Sequence, residues 1–416
     1  MTEFVPNYLG FGHISHEDFC QQHTTTVAKT LFTNESSQAV IILDGTYVYI
    51  QKSSNYRFQR QSYSLHKHRS LVKPMVIVAS DGYILSVLGP YLADYHNNDA
   101  AITKHLFKHN LEKINDWMEE NDVCIVDRGF RDAVEFLEDH GYNVKMPFYL
   151  NKNLKQHTTE EANKSRLVTK VRWVVESTNG RIKQFRMLDK VVPNTLSKYI
   201  GDFVRIACAL LNRFRGPVTT LDEKTEKIAI EMMHKAKMDN ELKVFLEDNG
   251  LITKRSDYKS LESADIMDFP QLTLDDLRTI TMGIYQLKQA PCYTKDHLNE
   301  DGQYELLVFK ETEGLIKVKI QSRHSKNTTY TLWIQYIPSS DKPIAGWYCT
   351  CKVGSRVVGC CAHIASVLWF LGFERYQGNR LSKDTNDTFL NAADIPSDTE
   401  SDTSEDEDSS DEFTEE

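Results

Sequence analysis

The chain has 416 residues, 40% of them hydrophobic, which is enough for two or three domains with packed cores. Its longest apolar runs fall far short of the roughly 20 residues of a membrane-spanning helix, and its first residues resemble no secretory signal, which predicts an intracellular protein. The net charge of −10 arises at residues 397–416, which hold 11 acidic and no basic side chains, so the remainder carries +1.

The first half of the chain alternates strand and helix patterns. Residues 15–31 hold at most two short helices. Strands are predicted at 40–50, 71–79, 83–89, 122–126 and 143–148, and helices at 99–119, 131–140 and 158–188. Ser80-Asp81-Gly82 joins the second and third strands as a hairpin turn. The order β-β-β-α-β-α-β-α, with three antiparallel strands first, is that of an RNase H-like fold.

Three carboxylates stand out in this frame. Asp44 interrupts an apolar strand, where a charge costs several kcal/mol unless something compensates it. Asp127 ends a second apolar strand, and Gly129 permits a sharp exit from it. Glu176 lies on a helix that is otherwise basic. Taken singly, a buried Asp is usually a hydrogen-bonding device, and a Glu four residues after an Arg is usually part of an ion pair.

An RNase H-like sheet would bring these acids together. Its first and fourth strands are neighbours, so we expect Asp44 and Asp127 to meet, and its last helix would add Glu176. Three carboxylates at one point require divalent cations, and two Mg²⁺ or Mn²⁺ ions about 3.5–4 Å apart promote phosphoryl transfer. Arg172, one helical turn before Glu176, and Lys183, two turns after it, are candidate ligands for DNA phosphates.

Residues 41–190 resemble the DDE superfamily endonuclease domain of PIF/Harbinger-type transposases. The matching stretches are ILDGTYVYIQ, SYSLHKHRSLVKPMVIV, GPY…NDAAI, IVDRGFRD and KSRLVTKVRWVVESTNGRIKQFRML, and 48 residues separate Asp127 from Glu176. The resemblance implies a catalytic triad of Asp44, Asp127 and Glu176, and Asp99 matches a further acid of the family. Such transposases usually carry an N-terminal helical DNA-binding region, whereas about 40 residues precede the first catalytic strand here.

The second half contains a cysteine–histidine cluster. Residues 217–300 are polar and mostly helical by periodicity, and strands are predicted at 304–309, 315–321 and 329–337. Cys349-x-Cys351 is then followed, after nine residues, by Cys361-x-His363, which supplies four ligands for a structural Zn²⁺. Cys360 could replace Cys361, and four buried structural thiols are the alternative. The spacing resembles a SWIM zinc finger, a ββα module.

The basic segment at 164–215 holds 12 Lys/Arg against three acidic residues. A solvated helix face and a DNA-binding groove both fit this pattern, and the nuclease frame favours the groove. The acidic tail could compete for that groove, dock a partner or keep the protein soluble. The expected partners are therefore DNA and, through the zinc domain or the tail, other proteins; a homo-oligomer is compatible with this interpretation.

The sequence predicts an α/β protein with an RNase H-like mixed sheet, a helical middle region, a small α+β zinc-binding domain and a disordered acidic tail. The predicted bounds are an N-terminal extension at 1–37, the nuclease at 38–215, a helical linker at 216–279, the zinc domain at 280–378 and the tail at 379–416. Mg²⁺-dependent DNA cleavage in the nucleus is the expected function. The alternatives are a domesticated, catalytically silent protein that binds DNA or other proteins, and a dead copy of a transposable element with no selected role.

Overall fold

The computed structural model describes residues 3–219, 223–253, 258–262, 268–283, 285–295, 305–309, 314–322, 328–338 and 340–377. The predicted acidic tail lies outside the described residues. Two compact units are present, one built from Met1–Pro147 with Val171–Asp222 and the other from Phe148–Lys170 with Glu223–Asn391. The domain bounds predicted from the sequence stay a prediction.

The first unit is built on a mixed seven-stranded sheet. Its strands are β1 (Val40–Gly45), β2 (Val48–Tyr49), β3 (Tyr63–Ser64), β4 (Arg69–Ala79), β5 (Ile84–Leu92), β6 (Val123–Ile125) and β7 (Asn143–Lys145). The order across the sheet is β5-β4-β1-β6-β7, with short β2 and β3 also paired to β4. β4 runs antiparallel to β1 and β5, whereas β1, β6 and β7 are parallel. This arrangement is compatible with an RNase H-like core.

The central strand β1 is apolar because both of its faces are covered. Residues 40–43 are at most 1% exposed, as expected for a strand between two neighbours and beneath helices. Asp44 follows them and lies opposite Val76 of β4. Ile42 is in register with Ile125 of β6, so the two parallel strands end at the same edge of the sheet. This edge receives the residues that follow each strand.

Nine helices of the described chain belong wholly or partly to the first unit: α1 (His16–Gln22), α2 (Thr26–Phe32), α3 (Tyr56–Ser62), α4 (Asp99–Lys108), α5 (Ile114–Trp117), α6 (Val134–Asp139), α7 (Thr159–Lys183), α8 (Arg186–Asp189) and α9 (Ile200–Phe214). Ser15 and Thr25 cap α1 and α2 with side-chain hydrogen bonds. Phe19 of α1 is fully buried in the core that covers one face of the sheet. On α9, the side chain of Asn212 accepts a hydrogen bond from the backbone N–H of Ile84 and donates one to its carbonyl. These bonds pair backbone groups of β5 that lie at the edge of the sheet.

The predicted elements are present, with differences at their ends. The strand predicted at 40–50 is divided into β1 and β2. The helix predicted at 99–119 ends at Lys108, because Asn110, Glu112 and Lys113 adopt left-handed backbone angles before α5 begins. The helix predicted at 131–140 starts earlier, as a 3₁₀ turn at Arg128–Ala133 that continues into α6.

The second unit combines an antiparallel sheet with helices. Its strands are β8 (Tyr258–Glu262), β9 (Glu305–Phe309), β10 (Leu315–Gln321), β11 (Thr329–Tyr336) and β12 (Ile344–Cys349), ordered β12-β11-β10-β9-β8. Its own helices are α10 (Glu223–Lys235), α11 (Glu241–Asp248), α12 (Leu274–Thr281), α13 (Tyr285–Lys295) and α14 (Ala362–Gly372). The strand β8 falls inside the region predicted to be mostly helical. α14 is almost entirely buried because its apolar residues pack in the same core as β10 and β11.

Helix α7 contributes residues to both units. Its residues up to Lys170 belong to the second unit and those from Val171 onward to the first. None of the helices in the described ranges combines the length and the apolar content that crossing a bilayer requires.

Candidate active site and metal centre

Asp44 and Asp127 lie where two neighbouring parallel strands end. Asp44 is the fifth residue of β1, and Asp127 comes two residues after β6. The oxygen Oδ1 of Asp127 accepts the backbone N–H of Gly129 at 2.7 Å, so the carboxylate also caps the 3₁₀ turn that follows. The meeting of Asp44 and Asp127 at this edge follows from the parallel pairing of β1 with β6.

Asp99 is a fourth acid at this edge. It is the first residue of α4, and its Oδ1 lies 3.0 Å from the ammonium nitrogen of Lys73 on β4. Two glycines leave space for it: a Cβ on Gly45 would lie 2.6 Å from Asp99 Oδ1, and a Cβ on Gly129 would lie 3.5 Å from Asp99 Oδ2. Asp99 therefore stands between the residues that follow Asp44 and Asp127.

Helix α7 contributes Glu176 together with two polar neighbours. The guanidinium of Arg172 donates to Glu176 Oε1 at 2.5 Å. One turn further along the helix, the side-chain amide of Asn179 donates to Asp44 Oδ2 at 2.7 Å, while its buried Oδ1 accepts no hydrogen bond from the described residues. The i, i+4 spacing of Arg172 and Glu176 and the i, i+3 spacing of Glu176 and Asn179 place all three on one helix face.

The acids act on one another electrostatically. Burial raises the pKa of Asp44 well above its usual value, and the neighbouring charge of Asp127 raises it further. The pKa of Asp127 is also raised by burial, and Arg172 opposes that rise. Burial by itself would lower the pKa of Arg172, but the pKa is raised because the surrounding acids stabilise its charge, Glu176 most strongly.

The donor set suits a divalent cation. When all are ionised, the four acids Asp44, Asp99, Asp127 and Glu176 outnumber the two cations Arg172 and Lys73 and leave a net charge of −2. Carboxylate and amide oxygens are the ligands that Mg²⁺ and Mn²⁺ prefer, and Asn179 supplies a further amide oxygen on the residue that binds Asp44. In the described chain these acids converge less tightly than the cysteine–histidine group does.

Lys183 lies beside this set on the same helix. Its ammonium nitrogen is 3.6 Å from the ring centroid of Tyr47, which is a cation–π contact. Burial and the like charge of Lys67 lower the pKa of Lys183 to about 8, and Asp44 opposes the change. The roles in DNA binding predicted for Arg172 and Lys183 stay predictions.

Several cations of the basic segment point into the protein. Arg166 and Lys170 donate to the carbonyl of Met282 at 3.3 and 3.0 Å, at the C-terminus of α12. The guanidinium of Arg181 donates to the carbonyl of Gly216 at 2.7 Å. The positive charge counted along 164–215 therefore overstates the charge that this segment presents at the surface.

The second unit brings together Cys349, Cys351, Cys361 and His363. One ligand atom from each lies within 4.8 Å of all the others, and the three cysteines are buried. Cys349 ends β12, Cys361 is the N-cap of α14, and His363 lies in the first turn of that helix. Cys360 is buried but outside the group, so the geometry favours Cys361 as the ligand.

The loop after Cys349 is a tight turn. The backbone N–H of Cys351 donates to the sulfur of Cys349 at 3.5 Å, which supports a thiolate there. Gly354 donates to the carbonyl of Cys351, and a Cβ on Gly354 would lie 2.2 Å from the carbonyl oxygen of Cys349. The side-chain amide of Gln156 donates to the carbonyls of Cys349 and Cys351, both at 2.7 Å.

The protonation of these thiols is consistent with a metal site. Burial raises the pKa of Cys349 well above its usual value, so its thiolate requires a cation. Burial would also raise the pKa of Cys361, but hydrogen bonds from Cys349 and Cys351 reverse the shift. Three sulfurs and one imidazole nitrogen are the tetrahedral donor set of structural zinc sites.

The fold and the two sites define an α/β protein with a carboxylate-rich sheet edge and a Cys₃His group. Residues 43–212 match the family model of the DDE superfamily endonuclease, and this stretch contains all four acids of the sheet edge. The stretch is therefore similar to endonucleases of that superfamily. The chain matches no curated protein and no solved structure.

The structure also shows site residues that the sequence did not single out. Lys73 pairs with Asp99, and Asn179 binds Asp44. Two signals could have found them: Lys73 is a charge inside an apolar strand, as Asp44 is, and Asn179 lies three residues after Glu176 on one helix face. The space that Gly45 leaves for Asp99 carried no signal in the sequence.

Proposed function

We propose that the chain is a transposase-derived DDE endonuclease of the PIF/Harbinger type that cleaves DNA phosphodiester bonds with a two-metal mechanism. The observation that carries the proposal is that Asp44 and Asp127 lie where the parallel strands β1 and β6 end, and that Asn179, three residues after Glu176 on α7, donates a hydrogen bond to Asp44. The family match over residues 43–212 supports it. Strand transfer and residence in the nucleus belong to the same proposal.

Asp44 and Asp127 would hold the divalent cations, and Glu176 would complete the site. Bound Mg²⁺ or Mn²⁺ supplies charge neutralisation and activates the attacking water or 3′-hydroxyl. Asn179 fixes one oxygen of Asp44 and leaves the other for a cation. Arg172 neutralises Glu176 and, once that carboxylate binds a cation, is positioned to hold a DNA phosphate.

In the same proposal the Cys₃His group binds a structural Zn²⁺ in a SWIM-type module. Its four protein ligands leave no position for substrate, so the metal would stabilise the unit rather than take part in the reaction. The module would bind DNA or a protein partner, and the acidic tail is a second candidate surface for partners.

The test is the nicking of supercoiled plasmid by the purified full chain in Mg²⁺ or Mn²⁺. We expect Asp127→Ala to abolish nicking. Asp132→Asn is the matched control, because Asp132 follows in the same turn but its side chain is 66% exposed and pairs with Arg131. Equal nicking by wild type and Asp127→Ala would contradict the proposed site.

A second candidate function is a catalytically silent binding protein. The ion pair between Arg172 and Glu176 favours it, because a carboxylate already neutralised by a guanidinium has less need of a cation. This candidate predicts DNA binding without nicking, and no calorimetric signal for Mn²⁺ at the carboxylates.

A further inference from the structure

The chain that runs from the end of β1 to the end of β4 is basic throughout. From Gly45 to Ser80 the sequence contains no Asp or Glu, and its six cations are Lys52, Arg57, Arg60, Lys67, Arg69 and Lys73. We call residues 45–80 the basic strap. It runs from the end of β1 through β2, α3 and β3 into β4. Its net charge of +6 lies outside the basic segment 164–215.

The basic strap presents three of its arginines and two large side chains to solvent. Arg57, Arg60 and Arg69 are exposed. Tyr56, the first residue of α3, is 87% exposed, and Leu65 is 76% exposed. A single exposed apolar side chain needs no explanation, but aromatic groups interleaved with exposed arginines are typical of surfaces that bind nucleic acid.

The strap lies next to the carboxylates. Tyr47 comes three residues after Asp44, and its ring is contacted by the ammonium groups of Lys183, at 3.6 Å, and Lys67, at 5.2 Å. Lys183 in turn is within electrostatic range of Asp44. Tyr49 packs 5.2 Å from Tyr47, with the guanidinium of Arg69 at 4.3 Å. The inner part of the strap is thus an ordered layer of rings and cations that begins beside the acids.

We infer that the basic strap binds DNA and holds an unpaired stretch of it beside the carboxylates. Arg57, Arg60 and Arg69 would contact phosphates, which accounts for the absence of acids. Tyr56 would stack on an unpaired base, because a base offers a flat face to an exposed ring only where it has no partner strand. The placement of this DNA for cleavage rests on the proposed nuclease function, whereas the binding itself does not.

The experiment measures fluorescence anisotropy of labelled DNA with the full chain carrying Asp127→Asn, so that no cleavage interferes. One duplex is blunt, and the other has a short unpaired overhang. We expect tighter binding to the overhang. Arg57→Gln with Arg60→Gln weakens binding to both duplexes and lowers the slope of log affinity against log salt by about 0.9 for each phosphate that the variant no longer neutralises. Lys108→Gln, an exposed lysine at the end of α4, is the control and leaves both affinities unchanged.

Variants of Tyr56 test the stacking on an unpaired base separately. Tyr56→Ala lowers affinity for the overhang by about 5- to 150-fold, the range of one base–aromatic stacking interaction, and leaves the blunt duplex unaffected. Tyr56→Phe keeps the ring and therefore the preference. Because Tyr56 is exposed, neither variant disturbs the core. Equal binding of both duplexes by wild type and Tyr56→Ala overturns the stacking role.

The outcomes separate this inference from the proposed function. If the wild-type chain fails to nick DNA but the arginine variants weaken DNA binding, DNA binding by the strap is supported and the proposed nuclease function is refuted. If nicking occurs and the strap variants neither bind nor nick more weakly, the inference alone is overturned. If the full chain binds no DNA at low salt, the inference is overturned, and the acidic residues 397–416 become the better candidate polyanion for this surface.

Discussion

Gly45→Ala tests whether the space beside Asp99 matters for the carboxylate site. Gly45 is an extended strand residue, so its backbone accepts alanine without strain. The new Cβ would lie 2.6 Å from Asp99 Oδ1 and 3.2 Å from its Cγ. The carboxylate then has to withdraw by about 0.8 Å, from 2.6 Å to the 3.4 Å at which ordinary van der Waals packing begins. Its ion pair with Lys73 is lengthened or broken.

The expected effect is large on activity and small on stability. A displacement of about 1 Å in a catalytic group lowers a rate on the order of 100-fold. Loss of the partly exposed pair between Lys73 and Asp99 costs about 1 kcal/mol, which lowers the melting temperature of a unit of this size by about 2–4 °C.

The assay compares the rate of plasmid nicking and the thermal unfolding of wild type and Gly45→Ala. Gly12→Ala is the control, because a Cβ at Gly12 would meet no atom of the described residues within 4 Å. If the wild-type chain does not nick DNA, Mn²⁺ affinity by calorimetry replaces the rate, and we expect the variant to bind Mn²⁺ more weakly. An unchanged rate and unchanged Mn²⁺ affinity in a folded variant would refute the argument that Asp99 belongs to the site.

Further predictions concern metal content and stability. Cys361→Ser removes the zinc measured by elemental analysis, whereas Cys360→Ser retains about one zinc per chain; the opposite result would exchange the two assignments. Burial lowers the pKa of His16, but its hydrogen bond with Asp122 more than offsets this and raises the pKa from 6.5 to about 10. The pair therefore stabilises the fold fully below pH 6.5 and loses that effect as the pH rises towards 10. In His16→Asn, we expect urea unfolding to show a loss of about 2 kcal/mol at pH 6 and none at pH 10; an equal loss at both would contradict this. Asn163 is fully buried and accepts two backbone N–H groups of the loop before Cys360, at 2.9 and 3.1 Å. Asn163→Ala should cost about 3 kcal/mol in the same assay, and a cost near zero would mean that water replaces the amide.

The spacing of apolar residues predicted the strands and most helices, because the buried face of an element determines where its apolar residues recur. The apolar residues of β1 are buried on both faces, and the alternation of strands and helices indicated the mixed sheet. Strand order then predicted that Asp44 and Asp127 meet, as the parallel pairing of β1 and β6 shows. The catalytic roles of these acids stay predictions. The ends of elements were less predictable: α4 stops at Lys108 before a left-handed turn in which Asn110 favours that conformation but Glu112 and Lys113 do not.

The sequence by itself determined which residues are candidates for the two sites, since a charged residue in an apolar strand and a pair of closely spaced cysteines are local signals. Tertiary structure decided what surrounds them. It placed Lys73 and Asn179 against the acids, left Cys360 outside the Cys₃His group and turned Arg166 inward to a backbone carbonyl. Net charge along a segment does not show which side chains reach solvent, because burial depends on packing between residues far apart in the chain.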